Sequence, residues 1–349
     1  MRSVNLQGAD IITGMRVPYS ELHEALRRAL ETTGLAPERA DLSARLIADA
    51  SRDGVYSHGL NLFPRLMRMI RAGVVDVSAL PERTAAAGGV ERWDGRRGVG
   101  NLNAHHSMAI AIELARAHGI GCVALANTNH WMRGGTYGWQ AADAGMIGLC
   151  WTNTLPNLPP WGAADPRIGN NPLVVAVPRR RGHVVVDMAM SQFSYGALAG
   201  YRARGESLPV PGGFDTRGDL TRDPAAIEAS RRPLPIGFWK GSALSIVLDM
   251  IAAVLSGGRA THQVATDPGT ETALSQVFVA IDAGSLAGAG AADTVVDAIV
   301  EHLQSPSHDA ERVRYPGERT LTTRREHLAN GIPVDPASWQ FVIEVGQMS

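Results

Sequence analysis

Residues 120–151 have the sequence IGCVALANTNHWMRGGTYGWQAADAGMIGLCW. The short apolar run at 120–125 is typical of a buried strand, and a second such run follows at 146–151. Residues 137–144 predict a helix, and the polar residues before that helix predict a loop. This order of strand, loop, helix and strand predicts an α/β or α+β sheet that is covered by helices.

The flanking sequence extends this alternation in both directions. Further strands are predicted at 173–177, 184–187 and 276–281, and the first third of the chain has the apolar spacing of three helices. Residues 206–235 are rich in Gly, Pro, Asp and Arg, which predicts a long irregular connection. Residues 240–255 are apolar on nearly every side, which predicts a buried helix.

The composition of the 349 residues is that of a folded globular protein. Hydrophobic residues make up 45% and charged residues 19% of the chain, which is long enough for two domains or one large α/β unit. The 33 basic and 34 acidic residues give a formal net charge of −1. Because nothing attracts such a chain to nucleic acid or to an anionic membrane, we expect neither as a partner.

Cysteine usage and the N-terminus indicate the cellular compartment. Cys122 and Cys150 stand in apolar runs, as expected of buried thiols in a reducing environment. The N-terminus lacks the apolar segment of a secretory signal, and no apolar run approaches the ~20 residues that span a bilayer. We therefore expect a soluble, cytoplasmic protein.

No dinucleotide fingerprint of the G-x-G-x-x-G type is present. The nearest segment, residues 95–100, lacks the third glycine, and no apolar strand directly precedes it. A Rossmann domain is therefore not expected, whereas another nucleotide-binding fold stays open. The histidines His105, His106 and His118 lack the spacing of metal ligands, so we expect no metal site.

His58 lies in the polar segment Tyr56-Ser-His-Gly59, beside a glycine that permits close approach of a ligand. An imidazole there can protonate a developing alkoxide near neutral pH. The alternative is a loop histidine whose ring bonds a backbone carbonyl. The residues alone do not decide between these two roles.

A second polar segment, residues 127–135, follows the predicted strand at 120–125, where open α/β sheets place their ligands. It concentrates amides, the imidazole of His130, an indole, the guanidinium of Arg133 and two glycines. Polar groups converge in this way around a small oxygen-rich ligand. A structural turn that is capped by asparagine side chains is an equal alternative.

Lys240 stands at the start of the predicted apolar helix. A helix N-terminus has unpaired N–H groups and a positive dipole end, and the lysine adds a full charge that suits a pyrophosphate. A lysine that merely extends into solvent is the simpler alternative. The arginine clusters at 179–181 and 231–232 are interpreted first as solvated turns.

Six motifs, in this order, resemble those of the malate/L-lactate dehydrogenase family of the second, non-Rossmann type. They are Tyr56-Ser-His-Gly59, Asn129-His-Trp131 with Arg133-Gly-Gly135, Ile168-Gly-Asn-Asn-Pro172, Val186-Asp-Met-Ala189, Trp239-Lys-Gly241 and Pro316-Gly-Glu318. The resemblance covers the chain from residue 17 to the end. Residues 1–16 are therefore expected to form an N-terminal extension.

The resemblance implies an α/β fold with a mixed sheet flanked by helices, which binds a dinucleotide without a Rossmann domain. It implies a mainly helical region from residues 17–85 and about 243–349, and a cofactor- and substrate-binding region at about 86–242. It further implies a homodimer with its active site near the subunit interface. The implied activity is NAD(P)H-dependent reduction of a small polar 2-keto acid or a diketo acid derived from a sugar.

By the same resemblance, His58 donates a proton to the substrate oxygen and His130 lies at the reacting carbon. The substrate is expected to contact Ser57, Leu62, Arg65, Asn129 and Arg133. The cofactor, NADH or alternatively NADPH, is expected to lie against His183, Val184, Val185, Val186, Asp187, Met188, Ala189, Trp239, Lys240, Gly317, Glu318 and Arg319.

Two positions depart from the family pattern. The family commonly has arginine four residues after the site histidine, where this chain has Leu62, and its G-T-N-P is Gly169-Asn-Asn-Pro172 here. An arginine can hold a carboxylate bidentately and a leucine cannot. Either Arg65 or Arg133 then supplies the charge, or the substrate presents a less charged or bulkier group. We favour the second explanation.

Other activities fit the same residues. Within the family, the chain can be a reductase of cyclic imino acids such as pyrroline- or piperideine-carboxylates, or a dehydrogenase of a simple 2-hydroxy acid. Outside the family, the histidine-rich loops suit a lyase or hydrolase without a cofactor, or a non-catalytic protein that binds sugar acids. Binding of NADH distinguishes the first pair from the second.

Overall fold

The computed structural model describes residues 14–288, 290–306 and 312–347, so most of the expected N-terminal extension lies outside the described residues. The strands in these ranges are β1 Arg16–Val17, β2 Glu82–Ala87, β3 Val90–Asp94, β4 Ile120–Thr128, β5 Ile147–Thr152, β6 Leu173–Val177, β7 Val184–Met188, β8 Gly213–Phe214, β9 Leu220–Thr221, β10 Leu274–Ile281 and β11 Ile332–Pro333. The helices are α1 Tyr19–Glu31, α2 Pro37–Arg52, α3 Phe63–Arg71, α4 Gly100–His118, α5 Gly135–Asp143, α6 Tyr195–Ala203, α7 Pro224–Ser230, α8 Trp239–Ser256, α9 Ala283–Ala287, α10 Ala291–Leu303, α11 Glu318–Asn330 and α12 Pro336–Gly346.

A mixed seven-stranded sheet in the order β2-β3-β4-β10-β5-β6-β7 forms the centre of the molecule. β3 and β4 run parallel, and the other neighbouring strands in this sheet are antiparallel. Helices α4 and α5 pack on the sheet through a shared core that contains Met108, Tyr137 and Phe278. The mixed α/β sheet flanked by helices is confirmed.

Strand β10 lies in the middle of this sheet, between β4 and β5. The strand itself was predicted, but the segment that contains it, residues 243–349, was expected to be mainly helical. Val277 and Phe278 are completely buried, because the strand has a neighbour on each side and a covered surface above and below. The C-terminal part of the chain therefore completes the sheet as well as the helical region.

The N- and C-terminal helices form a second core. Helices α1, α2 and α3 pack with α12 around the buried side chains Leu22, Leu26, Ile47, Phe63, Trp339 and Val342. Helix α2 has Pro37 in its first turn, where a missing N–H costs nothing, and ends at Arg52. The segment that follows α2 carries His58 away from this core toward the sheet.

Helix α8 was expected to be buried, and that prediction is wrong for one of its faces. Ser245 and Leu248 are buried against the sheet. Met250 and Val254, on the other face, are 60% and 73% exposed. By length and composition α8 could even cross a membrane, although a core helix satisfies the same criteria, and 33% of it is buried. When a helix is apolar around its whole circumference, its sequence does not show which face packs against the rest of the chain.

The segment 206–235, expected to be irregular, contains ordered elements. Strands β8 and β9 form a short antiparallel pair, and α7 follows them. The Asp223 side chain caps α7 by accepting a hydrogen bond from Ala225 N. Strands of two residues and a helix of two turns are too short to give a periodic pattern.

Candidate active site

His58 ends a short 3-10 helix, Tyr56–His58, that follows α2. Gly59 is required beside it, because a Cβ there would overlap the Ser51 hydroxyl. The Ser57 hydroxyl lies 3.0 Å from His58 Nδ1. When this hydroxyl donates to Nδ1, the neutral ring carries its proton on Nε2. Nε2 has no hydrogen-bond partner among the described residues and is available to a ligand.

His130 lies in the loop after β4, with its ring centroid 6.0 Å from that of His58 and the two planes 26° apart. Met132 N donates a 3.1 Å hydrogen bond to His130 Nδ1, so this histidine also keeps Nε2 for another partner. Asn127 and Met132 have positive φ angles of 53° and 64°. Non-glycine residues rarely adopt this conformation, and such strain concentrates at functional sites.

Both histidines are neutral near pH 7 when no anion is bound. Burial lowers the pKa of His58 below 6.5, the Asp187 carboxylate raises it, and Arg133 and Arg65 lower it again. Burial, followed by the nearby His58 and Arg65, lowers the pKa of His130 well below 6.5. An anionic ligand beside these rings favours their protonated form.

Asp187, which was expected to contact the cofactor, also acts electrostatically on His58. It lies on β7, and its Oδ2 accepts a 2.8 Å hydrogen bond from Gly135 N at the start of α5. A Cβ on Gly135 would clash with this carboxylate. The glycine in the His130 loop thus lets the carboxylate of β7 approach close enough to influence His58.

The two arginines that were candidates for a substrate carboxylate are engaged within the chain. Arg65 donates to Glu271 Oε2 at 2.6 Å and to the Pro268 carbonyl at 2.7 Å. Arg133 is 5% exposed and donates to Asp53 Oδ2 at 2.6 Å. Each guanidinium therefore has a carboxylate partner before any substrate binds.

The other expected substrate residues differ in how they are placed. Asn129 is buried, and its amide donates to the carbonyl oxygens of Arg97 and Gly98 at 2.7 and 2.9 Å. This supports the structural-turn interpretation for Asn129. Leu62 lies shortly after the His58 segment. It is partly buried and packs against the core of the N- and C-terminal helices.

The start of β7 brings together the first group of expected cofactor residues. Val185 N donates to the Pro316 carbonyl at 3.0 Å, which holds the turn before α11 on the strand. Gly317 has φ +93°, and a Cβ there would lie 3.1 Å from the His183 carbonyl oxygen. Only a glycine lets the 316–319 backbone lie this close to β7.

The second group lies beyond the end of β7. Ile236 N donates to the Met190 carbonyl at 2.8 Å, and this pairing leads directly into α8. Trp239, the first residue of α8, is 60% exposed, and Lys240, the only lysine of the sequence, is exposed as well. Phe238 before them has φ +61°, a strained conformation at the entrance to the helix. The two groups are separated by the five residues of β7, about 16 Å.

Unpaired polar groups beside β7 fit a polar cofactor. The hydroxyls of Thr136 and Ser191 are buried, and neither finds a hydrogen-bond partner within the described ranges. Thr136 follows Gly135 in the first turn of α5, and Ser191 lies three residues after the end of β7. Buried hydroxyls in proteins nearly always have a partner, so these two fit the polar groups of a dinucleotide. In the parts of the chain that the structure describes, no group of three or more His, Cys, Asp or Glu side chains could hold a metal ion.

Several residues beside the site were not singled out from the sequence. The buried Asp53 forms an ion pair with the partly buried Arg324, and Tyr56 contacts His327. Asp53 lies three residues before the polar segment of His58 and could have been noticed there. Arg324 and His327 lie 271 positions further along, and no local pattern connects them.

Comparisons with known proteins give concordant results. Residues 17–342 match the family described as malate/L-lactate dehydrogenase. A 2,3-diketo-L-gulonate reductase of Shigella boydii is 46% identical over 327 residues, which are 93% of this chain and 98% of the relative. The structure of malate dehydrogenase from Pyrococcus horikoshii superimposes with a TM-score of 0.87 at 25% identity, covering 98% of each chain. The delta1-piperideine-2-carboxylate reductase of Pseudomonas syringae superimposes with a TM-score of 0.84 at 29% identity, covering 95% of this chain and 99% of that one.

Proposed function

Because this chain belongs to the malate/L-lactate dehydrogenase family and is an oxidoreductase of keto or hydroxy acids, we propose that it reduces a 2,3-diketo sugar acid with NADH. The proposed substrate is of the 2,3-diketo-L-gulonate kind. The 46% identity over nearly the whole length of a reductase of that compound is the observation that carries this choice.

We propose that His58 is the proton donor of the reaction. Its Nε2 has no protein partner in the described chain, whereas Nδ1 is occupied by the Ser57 hydroxyl. The Asp187 carboxylate opposes the effect of burial on the pKa of His58, and a substrate carboxylate beside the ring would favour the protonated form in the same way. His58 can then protonate the oxygen that gains negative charge at the reacting carbon, and His130 hydrogen-bonds the same region.

The cofactor is proposed to lie along β7. Gly317 and His183 would hold one end of it, and Trp239 and Lys240 the other, with Ser191 and Thr136 offering hydroxyls between them. A bound nicotinamide supplies the hydride. The protein orients the reacting groups, excludes water from the histidine pair and provides the proton.

The charge pattern favours NADH over NADPH. The cationic residues nearest in sequence to His183 are Arg179, Arg180 and Arg181, and they pair with Asp297, Asp293 and Glu301 of α10, respectively. A 2′-phosphate requires uncompensated cationic groups. Because these three arginines already have carboxylate partners, the cluster is a poor phosphate site.

The placement of Arg65 supports a substrate that is larger and less dependent on one charge than pyruvate. Arg65 is held by Glu271, and Leu62 stands where the family commonly has arginine. A small keto acid would thus find no guanidinium at position 62, and at position 65 one whose Nη2 is already bound to Glu271 and to the Pro268 carbonyl. A sugar-derived acid brings several hydroxyl groups that can bond to the histidines and backbone amides instead.

A panel assay tests the activity directly. Purified protein is mixed with NADH or NADPH and with a diketo sugar acid, small 2-keto acids, or cyclic imino acids, and nucleotide oxidation is followed at 340 nm. We expect the highest kcat/KM with NADH and the diketo sugar acid. Turnover restricted to cyclic imines would favour the second candidate, which the likeness to the piperideine-2-carboxylate reductase supports. Absence of nucleotide binding would exclude both.

We further propose that the protein is a homodimer whose interface covers the outer face of α8. Val247, Met250 and Val254 expose a continuous apolar surface next to the exposed Trp239. An apolar surface of this kind marks a protein interface. We expect sedimentation velocity to show a dimer, and Val254→Glu to convert it to a monomer. A monomeric wild type would contradict the proposal.

The proposed cellular location is the cytoplasm. Both cysteines are free thiols, Cys150 completely buried and Cys122 partly buried, as is common in proteins of reducing compartments.

A further inference from the structure

Asp53, directly after α2, is the centre of a buried charge cluster. Its side chain is 2% exposed. Arg324 donates from Nε to Oδ1 and from Nη2 to Oδ2, both at 2.8 Å. Arg133 donates to Oδ2 at 2.6 Å, and Arg52 Nε donates to Oδ1 at 2.9 Å. One carboxylate therefore holds three guanidinium groups from three different parts of the chain.

This carboxylate is ionised. Burial raises the pKa of the Asp53 carboxyl, but the hydrogen bonds of Arg324 and the charges of Arg133 and Arg52 together bring it well below the usual range. Guanidinium groups do not release their protons in proteins. The cluster thus keeps the same charges throughout the pH range in which His58 titrates.

The three elements that meet at Asp53 are those that the site requires. The first is the segment of His58, which begins three residues after Asp53, at Tyr56. The second is the His130 loop, which contains Arg133. The third is α11, which contains Arg324 and begins directly after Gly317, next to the start of β7. Arg324 also lies over the ring of Trp139, with its Cζ 4.7 Å from the ring centroid.

Helix α11 has a second attachment to the His58 segment. His327 Nδ1 donates to the Arg52 carbonyl at 2.8 Å, because a carbonyl oxygen can only accept. Its Nε2 lies 3.2 Å from the Tyr56 hydroxyl and 3.1 Å from Glu326 Oε2. At Gly54 a Cβ would lie 2.9 Å from Thr323 Cγ2, so helix and segment are in close contact.

We propose that Asp53 is a positioning residue, which holds the two histidine segments and α11 in one arrangement and so fixes the proton donor relative to the cofactor. This inference rests on the proposed function. Asp53 contacts neither histidine, and it acts through Arg133 and Arg324. A misplacement of about 1 Å between reacting groups lowers a rate by about 10²-fold.

Asp53→Asn keeps the size of the side chain and removes its charge. We expect kcat with NADH and the diketo acid to fall about 100-fold, and the dissociation constant of NADH to stay within about threefold of wild type. Rates are expressed per NADH-binding site, so unfolded protein does not contribute. The matched control is Asp49→Asn, one helical turn earlier, whose carboxylate accepts from the Tyr19 hydroxyl at 2.8 Å and pairs with Arg52. The control should retain kcat within about twofold.

A second measurement does not depend on the substrate. The pKa of His58 is measured by NMR in the free protein, with His58→Asn assigning the resonance. The groups that influence this ring are Asp187, Arg133, Arg65 and His130, together with the Ser57 hydroxyl. Removal of the Asp53 charge leaves Arg133 uncompensated, so the pKa should fall further in Asp53→Asn and not in Asp49→Asn.

The outcomes separate the two proposals. If the wild type fails with every substrate, the proposed function is wrong, and the NMR shift alone decides the role of Asp53. An Asp53→Asn protein with wild-type kcat per site, or with an unchanged His58 pKa, would show that Asp53 only stabilises the fold. If Asp53→Asn does not fold, Arg324→Lys and Arg324→Met take its place. We expect kcat to decrease from wild type through lysine to methionine, and equal values in all three would overturn the proposal.

Discussion

The two halves of the candidate site differ in how the chain supports them. Around His58 and His130, the charged side chains have partners within the chain: the buried Arg133 pairs with Asp53, and the partly buried Arg65 pairs with Glu271. Around Trp239 and Lys240, the side chains are exposed and border an uncovered apolar helix face. The two histidine segments are therefore held in place by contacts within the chain. Trp239 and Lys240 remain accessible to other molecules.

The largest effect is expected in the buried half. His58→Asn removes the proposed proton donor but keeps a polar side chain, so kcat should fall about 10²–10⁴-fold while NADH affinity stays near that of wild type. Stopped-flow turnover and NADH fluorescence titration measure the two quantities. The control is His118→Asn at the exposed end of α4, which should change neither. A His58→Asn enzyme that keeps most of its kcat would transfer the role of proton donor to His130.

In the exposed half, Lys240→Ala should affect binding and not stability. Loss of a charge-assisted hydrogen bond to the cofactor costs about 1.5–3 kcal/mol, which weakens NADH binding correspondingly. Lys240→Gln should bind NADH nearly as weakly as Lys240→Ala, because glutamine keeps most of the side-chain length but not the charge. The thermal midpoint should not change, since the helix is held by its inner face. A lowered midpoint with normal NADH binding would instead mark Lys240 as structural.

Leu62 tests whether the buried half also selects the substrate. Leu62→Arg should raise kcat/KM for small 2-keto acids by about tenfold, equivalent to 1.4 kcal/mol, and lower it for the diketo acid. Leu62→Met keeps the volume without the charge and should have neither effect. Wild-type enzyme that already prefers small 2-keto acids, and loses the preference in Arg65→Ala, would show that Arg65 binds the carboxylate despite Glu271.

The smallest effect is expected at the arginine cluster before β7. The Arg180 side chain is 84% exposed where it pairs with Asp293. Exposed ion pairs contribute about 0–1 kcal/mol. Arg180→Ala should therefore leave the denaturant midpoint, NADH affinity and NADPH affinity unchanged within error. A selective loss of NADPH binding would place a phosphate site at this cluster and weaken the preference for NADH.

The sequence predicted those parts of the molecule that depend on residues close together in the chain. Strands β4, β5, β6 and β7 each coincide with a continuous apolar run, and α5 follows a loop with two glycines. The same local character singled out both histidines, because each stands among polar residues next to a strand or helix end.

What could not be predicted depends on contacts between distant parts of the chain. β10 joins β4 at positions about 150 residues apart, such as Gln276 with Leu125, and Asp53 meets Arg324 across 271 positions. The spacing of apolar residues along the chain does not predict either contact. The exposed face of α8 was missed for a different reason, since an apolar residue in a core and an apolar residue on the surface look alike in sequence.

Lys240 can also be labelled selectively, because the sequence contains no other lysine. It is the only lysine of 349 residues and lies exposed at the start of α8. An acylating reagent that attacks aliphatic amines can therefore modify this side chain and otherwise only the amino terminus. One mass spectrum would count the modified amines, and the rate of acylation with and without dinucleotide would report how well the cofactor shields this end of the site. A reporter dye could be attached there without first removing other lysines.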